Sequence, residues 1–376
     1  MSNPRLSNLS NYFKGSLIAG AAGDALGGPV EFWSYNHIVQ AFGEGGIRHF
    51  VKRGDVALIT DDTQMTLFTA NGLLVQFTHR LSGDLCPIPD VLYRAYLDWF
   101  RAIGGHPEVI RPNVSWLTLV PELHQDRASG MTCTSAMRSS AMRSVSHPIN
   151  DSCGCGGVMR IAPFALMQGK RLTTGKYYGF LSVAAEVGAV THGDARSHFA
   201  CGLAATIIAL SIYGDTEGVP ATLREVTLRA IEIVRDYAPD WEWKDDFMAR
   251  IDEAVALSAN QRSDVENIHS IGGGFRADEA IAIAVYCLLR HEDFTECLLA
   301  SVNHDGDSDS TGEIVGNVLG AFYGYDAIPA EFKTDIEIQS VIEQIATDLA
   351  AASDSTTDPA TFSSPDWQQR YNYPLD

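Results

Sequence analysis

The sequence of 376 residues has no uninterrupted apolar stretch of the length that a membrane-spanning helix requires. Its first apolar run, "SLIAGAAGDALGG", is broken by Asp24, whereas a span needs about 20 apolar residues. The N-terminal "MSNPRLSNLSNYFKG" lacks the apolar core of a signal peptide. We therefore expect no membrane partner and a cytoplasmic location.

Basic residues are scarce. The chain has 27 Lys and Arg against 47 Asp and Glu, which gives a net charge of −20. Nucleic acids and anionic membranes bind to basic surfaces, so this balance argues against both as partners. An acidic chain also fits a protein that gathers carboxylates around cations, although a solvated acidic surface explains most of the charge.

A disulfide framework is also missing. The seven cysteines are odd in number and the chain is long, which is unlike a small disulfide-stabilised fold. Cys153 and Cys155 lie two residues apart with no second pair nearby, so they do not predict a zinc site. Hydrophobic residues make up 45% of the chain and charged residues 20%, as in a soluble globular protein.

Convincing pairs of alternating strand segments are absent, and helical periodicity dominates. The pattern predicts helices over 11–27, 62–79, 90–103, 177–190, 195–213, 221–237, 246–258, 278–290 and 312–324, the first of them capped by Ser10 or Asn11. We predict an all-α fold with one compact domain over residues 1–351. A polar, helix-poor tail follows over 352–376, and its aromatic residues suggest that it docks on the domain.

Glycine recurs every fourth residue in the last of these helices, at Gly312, Gly316, Gly320 and Gly324. Each glycine weakens a helix by about 1 kcal/mol relative to alanine, so four on one stripe predict the close approach of another backbone. The first predicted helix carries Gly20, Gly23 and Gly27 and is the candidate neighbour.

Two acidic clusters precede predicted helices. In "LITDDTQMTLF", the cluster is Thr60, Asp61 and Asp62, and Asp61 with Gln64 has the spacing of a capping box. Capping leaves Asp62 unexplained. The alternative is a hard-cation site, because Mg²⁺, Mn²⁺ and Ca²⁺ take oxygen ligands from carboxylates and hydroxyls.

The second cluster, "NHDGDSDSTGEIVG", places Asp305, Asp307 and Asp309 in alternate positions. Ser310 and Glu313 have capping-box spacing, but a cap does not explain three neighbouring acids. The loop is not an EF-hand, since it lacks the glutamate at the twelfth position. Two such clusters, on helices that pack side by side, could share a pair of metal ions.

Other candidate site residues lie outside the two acidic clusters. Glu31 follows a glycine break between apolar neighbours and could be a surface residue, a ligand or a base. The glycine-rich turns before two helices could expose backbone N–H groups to a phosphate, or could be tight buried turns. A lone histidine, His192, is more often structural than catalytic. The turn residues are Gly154, Cys155, Gly156, Gly157, Val158 and Met159 in the first turn, and Gly272, Gly273 and Gly274 in the second.

Six motifs in order resemble the ADP-ribosylglycohydrolase family over about 12–324: "GAAGDALGGPVE", "TDDTQM", "GCGGVMRIAPF", "THGD", "GGGFRADEAIAIA" and "GDSDSTG". The resemblance implies an orthogonal all-α fold with a dinuclear metal site of two Mg²⁺, or Mn²⁺. It implies one metal held by Thr60, Asp61, Asp62 and Asp309, and another held by Asp307, Asp309 and Ser310. It also implies Glu31 or Asp62 as acid or base, and a diphosphate and adenosine near the glycine turns and His192.

The resemblance further implies ADP-ribosylated proteins and ADP-ribose as partners. Family members release arginine, serine or an O-acetyl group. Ser310 within "GDSDST" and the long loop "RASGMTCTSAMRS" resemble the arginine-directed branch. We expect a monomeric hydrolase that reverses mono-ADP-ribosylation of arginine. The alternatives are a serine- or O-acetyl-directed hydrolase, and a protein that neutralises an ADP-ribosylating toxin by binding.

Overall fold

The computed structural model describes residues 3–375, and within them helices dominate as predicted. The only strands of this range are the two-residue antiparallel pair β1 (Lys52–Arg53) and β2 (Val56–Ala57). The α-helices are α1 (Leu9–Gly27), α2 (Tyr35–Phe42), α3 (Asp61–Leu81), α4 (Ile88–Ala102), α5 (Met131–Arg138), α6 (Ala162–Gln168), α7 (Tyr177–Ala189), α8 (Ala195–Tyr213), α9 (Leu223–Tyr237), α10 (Lys244–Ser258), α11 (Asp264–Ile271), α12 (Ala277–Arg290), α13 (Phe294–Val302), α14 (Ser308–Tyr323), α15 (Gln339–Ser353) and α16 (Pro365–Tyr371).

Helices α1 and α14 form the centre of the molecule, and the glycine stripe explains why they come so close. A Cβ atom added to Gly312 would lie 2.5 Å from the Gly23 carbonyl oxygen, and one on Gly320 would lie 1.9 Å from the Gly15 carbonyl oxygen. The contacts run in opposite directions along the two helices, so the pair is antiparallel. The predicted close backbone approach is confirmed. Gly20 takes part in it, since a Cβ atom on Gly316 would lie 3.0 Å from its Cα, whereas Gly324 follows the end of α14 and faces the Asn11 side chain.

The antiparallel packing brings three helix ends together. The C-terminal end of α1 lies beside the N-terminal end of α14, where Gly27 contacts the Ser308 backbone. The carboxylate of Asp24, on α1, accepts hydrogen bonds from the backbone N–H groups of Thr60 (3.0 Å) and Thr63 (3.3 Å), which ties in the start of α3. The two acidic clusters therefore meet where α1 ends.

The predicted helix caps are wrong. Helix α1 begins at Leu9 after Asn8, not at Ser10 or Asn11, and Asn8 makes no capping hydrogen bond. At the acidic helices, the caps are Thr60, which accepts from the Asp62 N–H, and Asp307, which accepts from the Ser310 N–H. Neither is a capping box, because the side chains of the predicted partners, Gln64 and Glu313, are turned into the interior.

Two regions are more helical than their composition indicates. Helix α5 lies within 122–157, where the sequence indicates loops or broken helices, and α16 lies in the tail that the sequence predicts to be helix-poor. Trp367 and Tyr371 of α16 are buried, and the Trp367 indole N–H donates to the Thr78 hydroxyl of α3 at 2.9 Å. The apolar face of α16 is small and most of its neighbours in the sequence are polar, so the segment shows little hydrophobic periodicity.

One helix, α8, is long and apolar enough to cross a membrane by length and composition. However, 89% of its most apolar window is buried inside the protein. A core helix passes the same test, so this helix is weak evidence for a membrane span.

Candidate functional site

The carboxylates of Asp61, Asp62 and Asp307 face one open cavity of about 430 Å³ at the junction of α1, α3 and α14, whereas the predicted ligands Thr60 and Asp309 do not line it. The 3-10 turn before α6 and the loop before α5 form its other walls. Most of the predicted site residues line it: Glu31, Asp61, Asp62, Gly154, Cys155, Gly156, Met159, His192, Asp307 and Ser310.

Oxygen atoms of Glu31, Asp307 and Asp309 all lie within 4.8 Å of one another, which is the spacing of a shared cation. Asp62 lies across from them, and its Oδ1 accepts a hydrogen bond from the Ser310 hydroxyl at 2.7 Å. The segment of Glu31 is held against the acidic loop, because the N–H of Phe32 donates to the carbonyl of Gly306 at 2.8 Å.

These carboxylates repel one another with no basic side chain to balance them in the described part of the chain. Burial raises the pKa values of Asp61, Asp62 and Asp309 well above the usual range, and neighbouring carboxylates raise them further. Burial and the charges of Asp307 and Asp24 raise the pKa of Glu31 to about 8. Buried charges need a counter-charge, and a carboxylate and hydroxyl donor set is what hard divalent cations prefer. The residues therefore fit the ligand preference of divalent metal ions.

A second, fully buried pair of carboxylates lies beneath this cluster, and the sequence did not indicate its role. The Thr63 hydroxyl contacts the carboxylates of both Asp24 and Glu313, and the Thr66 hydroxyl donates to Glu313 at 2.7 Å. Burial raises the pKa of Asp24 to about 6 and that of Glu313 to about 8. The structure shows that Asp24 supports the start of α3.

The raised pKa values predict that the metal-free protein becomes less stable as pH rises. Glu31 and Glu313 have folded-state pKa values of about 8, above the roughly 4.3 of an unfolded glutamate. Between these values the folded state holds more protons than the unfolded state, so stability is complete below about pH 4 and is lost as pH rises through about 8. Thermal melting after EDTA treatment should therefore occur about 5 °C or more lower at pH 8 than at pH 5.5. A melting temperature that rises over this interval would contradict the electrostatics of the cluster.

The first glycine turn is tightly packed: Gly156 and Gly157 are buried, whereas Gly154 and Cys155 are half-buried and line the cavity. A Cβ atom on Gly156 would lie 2.8 Å from the Cys133 sulfur and 2.9 Å from Cε1 of His192. Val158 is fully buried in the hydrophobic core, and Gly157 packs near Ser197, so neither lines the cavity.

The second glycine turn supports the acidic loop. The carbonyl of Gly273 accepts a hydrogen bond from the Asp307 N–H at 2.8 Å, and a Cβ on Gly306 would lie 2.0 Å from the same carbonyl oxygen. Gly272 and Gly274 have φ angles of 148° and 80°, in a region that favours glycine. Gly272 and Gly273 line a neighbouring cavity of about 420 Å³ instead of the acidic one.

Asp305, the acid without an assigned role, points away from the cluster. It accepts a hydrogen bond from the backbone N–H of Tyr35, the first residue of α2, and lies 3.6 Å from Nδ1 of His269. A carboxylate at a helix N-terminus balances the helix dipole. Asp305 therefore anchors α2, which explains the third member of the aspartate series without a metal.

Comparisons with known proteins show which family this chain resembles. A family model described as ADP-ribosylglycohydrolase matches residues 5–359. The chain is 24% identical to the ADP-ribosyl-(dinitrogen reductase) glycohydrolase of Rhodospirillum rubrum, over 88% of this chain and 92% of that protein. It is 25% identical to ADP-ribosylhydrolase ARH1 of Dictyostelium discoideum, over 90% and 93%. It is 23% identical to ADP-ribosylhydrolase ARH3 of Danio rerio, over 86% of each chain.

A solved structure titled "ADP-ribosylglycohydrolase-related protein complex" has the same fold. It superimposes with a TM-score of 0.61 at 21% identity and covers 92% of this chain and 99% of its own. Together with the family model, which spans almost the whole sequence, this confirms the resemblance read from the six motifs. The chain belongs to the ADP-ribosylglycohydrolase family.

Proposed function

We propose that the protein hydrolyses the N-glycosidic bond between ADP-ribose and an arginine side chain of a protein, with two bound Mg²⁺ ions. The observation that carries this proposal is the cluster of uncompensated carboxylates in an open cavity, with Glu31 at its edge. Mn²⁺ has the same ligand preference and could replace Mg²⁺. We expect a monomer, and a cytoplasmic location fits the seven cysteines, all of which are free thiols.

In this proposal, Thr60, Asp61, Asp62 and Asp309 hold one metal ion, and Asp307, Asp309 and Ser310 hold the other. The approach of Glu31, Asp307 and Asp309 supports the second set, and the hydrogen bond between Ser310 and Asp62 joins the two. When bound, such ions orient the hydroxyls of the ribose and polarise a water molecule.

Glu31 is the better candidate for proton transfer. Both oxygens of Asp62 contact hydroxyls, Oδ1 that of Ser310 at 2.7 Å and Oδ2 that of Thr60 at 3.4 Å. The Glu31 carboxylate makes no hydrogen bond within residues 3–375 and is half-buried, so it can reach a ligand.

Hydrolysis at this site breaks one bond to C1″ of the ribose and forms another. The bond between C1″ of the ribose and the guanidine nitrogen breaks, through a transition state with oxocarbenium-like charge. The guanidine nitrogen takes a proton as it leaves, and a water molecule forms the new C–O bond at C1″ while losing a proton. The surrounding carboxylates stabilise the positive charge that develops on the sugar.

Two exposed aromatic rings at the edge of the cavity favour a cationic leaving group. The rings of Phe32 and Phe275 are 65% and 46% exposed, stack with centroids 5.5 Å apart, and border the acidic cavity beside Glu31. Phe32 has a φ of 63°, an unusual backbone conformation that its hydrogen bond to Gly306 maintains. A guanidinium is attracted both to aromatic faces and to carboxylates, whereas a serine hydroxyl gains little from either.

The experiment compares peptides of one sequence that carry ADP-ribose on arginine or on serine, in the presence of Mg²⁺. We expect kcat/KM to be at least about tenfold higher for the arginine-linked peptide, which corresponds to about 1.4 kcal/mol. Phe275→Ala should reduce kcat/KM by about tenfold on the arginine-linked peptide and much less on the serine-linked one. Faster release from serine would show that the linkage assignment is wrong.

A further inference from the structure

Arg160 is a fully buried cation without a carboxylate partner in the described part of the chain. Its guanidinium lies over the Tyr96 ring at 4.4 Å, and its Nη1 is 3.4 Å from the Met65 sulfur and 3.6 Å from the Cys133 sulfur. Burying an unpaired charge is costly, so an arginine at this position needs a reason that packing does not supply.

Its strongest polar contact leads to the acidic cavity through one hydroxyl. Nη2 of Arg160 donates to Oγ1 of Thr191 at 2.6 Å, and the same Oγ1 lies 2.8 Å from Nδ1 of His192. A guanidinium can only donate, so the Thr191 hydroxyl accepts from it and has one proton left to give. Nδ1 of His192, at 2.8 Å, is the nearest nitrogen to receive that proton, and it can accept the proton only if it carries none of its own.

The other ring nitrogen of His192 then carries the proton. Burial and the positive charge of Arg160 lower the pKa of His192 to about 3, so the ring is neutral and has one N–H. Nε2 has no hydrogen-bond partner within residues 3–375 although the residue is only 1% exposed. It lies over the glycine turn, 3.1 Å from where a Cβ of Gly154 would be, and the ring borders the acidic cavity.

We propose that Arg160 is a positioning residue which, through Thr191, fixes His192 as the Nε2–H tautomer and so aims one N–H donor into the cavity at an oxygen of the ligand. The proposal that this oxygen belongs to ADP-ribose rests on the proposed function. The tautomer itself depends only on the three side chains.

The backbone on both sides of the Thr191 side chain is held by hydrogen bonds that do not involve its hydroxyl. The carbonyl of Thr191 accepts from Nδ2 of Asn150 at 2.8 Å, and the carbonyl of His192 accepts from Nε2 of His198 at 2.8 Å. The N–H of Gly193 donates to Oδ1 of Asn150 at 3.0 Å. Thr191→Val keeps the shape of the side chain and removes only the hydrogen-bonding oxygen.

The test is the tautomer of His192, measured through the nitrogen-15 shifts of its ring in the whole protein. In the wild type we expect an unprotonated Nδ1 and a protonated Nε2. Thr191→Val and Arg160→Met should each give a mixture of tautomers, and Thr191→Ser should restore the wild-type signals. A wild type with the proton on Nδ1, or a Thr191→Val spectrum with an unchanged tautomer, would overturn the proposal. Because Arg160→Met removes a core cation and could fail to fold, Thr191→Val is the deciding variant.

Calorimetric titration with ADP-ribose separates this proposal from the proposed function. If both hold, Thr191→Val binds ADP-ribose about tenfold more weakly than the wild type and Thr191→Ser binds it normally. If the wild type shows the Nε2–H tautomer but binds no ADP-ribose, the relay stands and the proposed function fails. If ADP-ribose binds equally to the wild type and to Thr191→Val, the donor does not contact the ligand and its assigned purpose is wrong.

Discussion

Asp309→Asn is expected to lose metal binding by about 100-fold or more and to lose hydrolysis with it. Groups that merely support metal ligands cost about 10- to 100-fold in affinity when removed, and Asp309 is proposed to contact both metals. The substitution keeps the size of the side chain but removes a charge that the neighbouring carboxylates oppose. The same variant should therefore melt higher than the wild type in EDTA and lower than the wild type in Mg²⁺. The measurements are the metal content by elemental analysis and the melting temperature in EDTA and in Mg²⁺.

Asp305→Asn is the matched control, because Asp305 lies in the same loop but contacts the N–H of Tyr35 instead of the cluster. It should keep full metal content, and any change in melting should be the same with and without Mg²⁺. Asp309→Asn with normal metal content would refute the proposed ligand set. A variant that melts lower than the wild type in EDTA would refute the repulsion within the cluster.

Gly316→Ala is expected to destabilise the protein by about 3 kcal/mol or more. The added methyl group would lie 2.0 Å from the Ala19 carbonyl oxygen, so α1 and α14 must separate. The separation would also move the ends of these helices, from which Glu31, Asp307 and Asp309 project. Reduced metal affinity should therefore accompany the loss of stability, although Gly316 lies two turns from the site.

Gly179→Ala tests whether the effect comes from helix packing instead of glycine in general. Gly179 is exposed within α7, and a Cβ atom added to it would have no neighbouring atom within 4 Å. Alanine there should stabilise the protein by up to about 1 kcal/mol, the opposite sign from Gly316→Ala. Chemical denaturation of both variants measures the difference. Equal effects at the two positions would contradict the packing of α1 against α14.

Much of this architecture could be predicted from the sequence because its signals are local. Helical periodicity gave the type of the main elements, and the spacing of Gly312, Gly316 and Gly320 indicated a close neighbour. The two acidic clusters could be recognised because their residues are adjacent in the chain. Their meeting in one cavity was inferred from the helix starts, and the geometry agrees.

The rest depends on side-chain directions that sequence spacing does not determine. Ser310 and Glu313 have the spacing of a capping box, yet Glu313 contacts Thr63 and Thr66 of α3 because α1 and α14 pack against that helix. Asp305 fits the acidic series by spacing, yet it points to α2. The link from Arg160 to His192 joins residues that are 32 positions apart and passes through a single hydroxyl.

The most direct test of the central claim is ADP-ribose release from an arginine-ADP-ribosylated protein, measured with Mg²⁺, after EDTA, and after Mg²⁺ is restored. We expect release with Mg²⁺, a loss of about 100-fold or more in EDTA, and full recovery when Mg²⁺ returns. Release that EDTA leaves unchanged, or no release from this substrate under any of the three conditions, would contradict it.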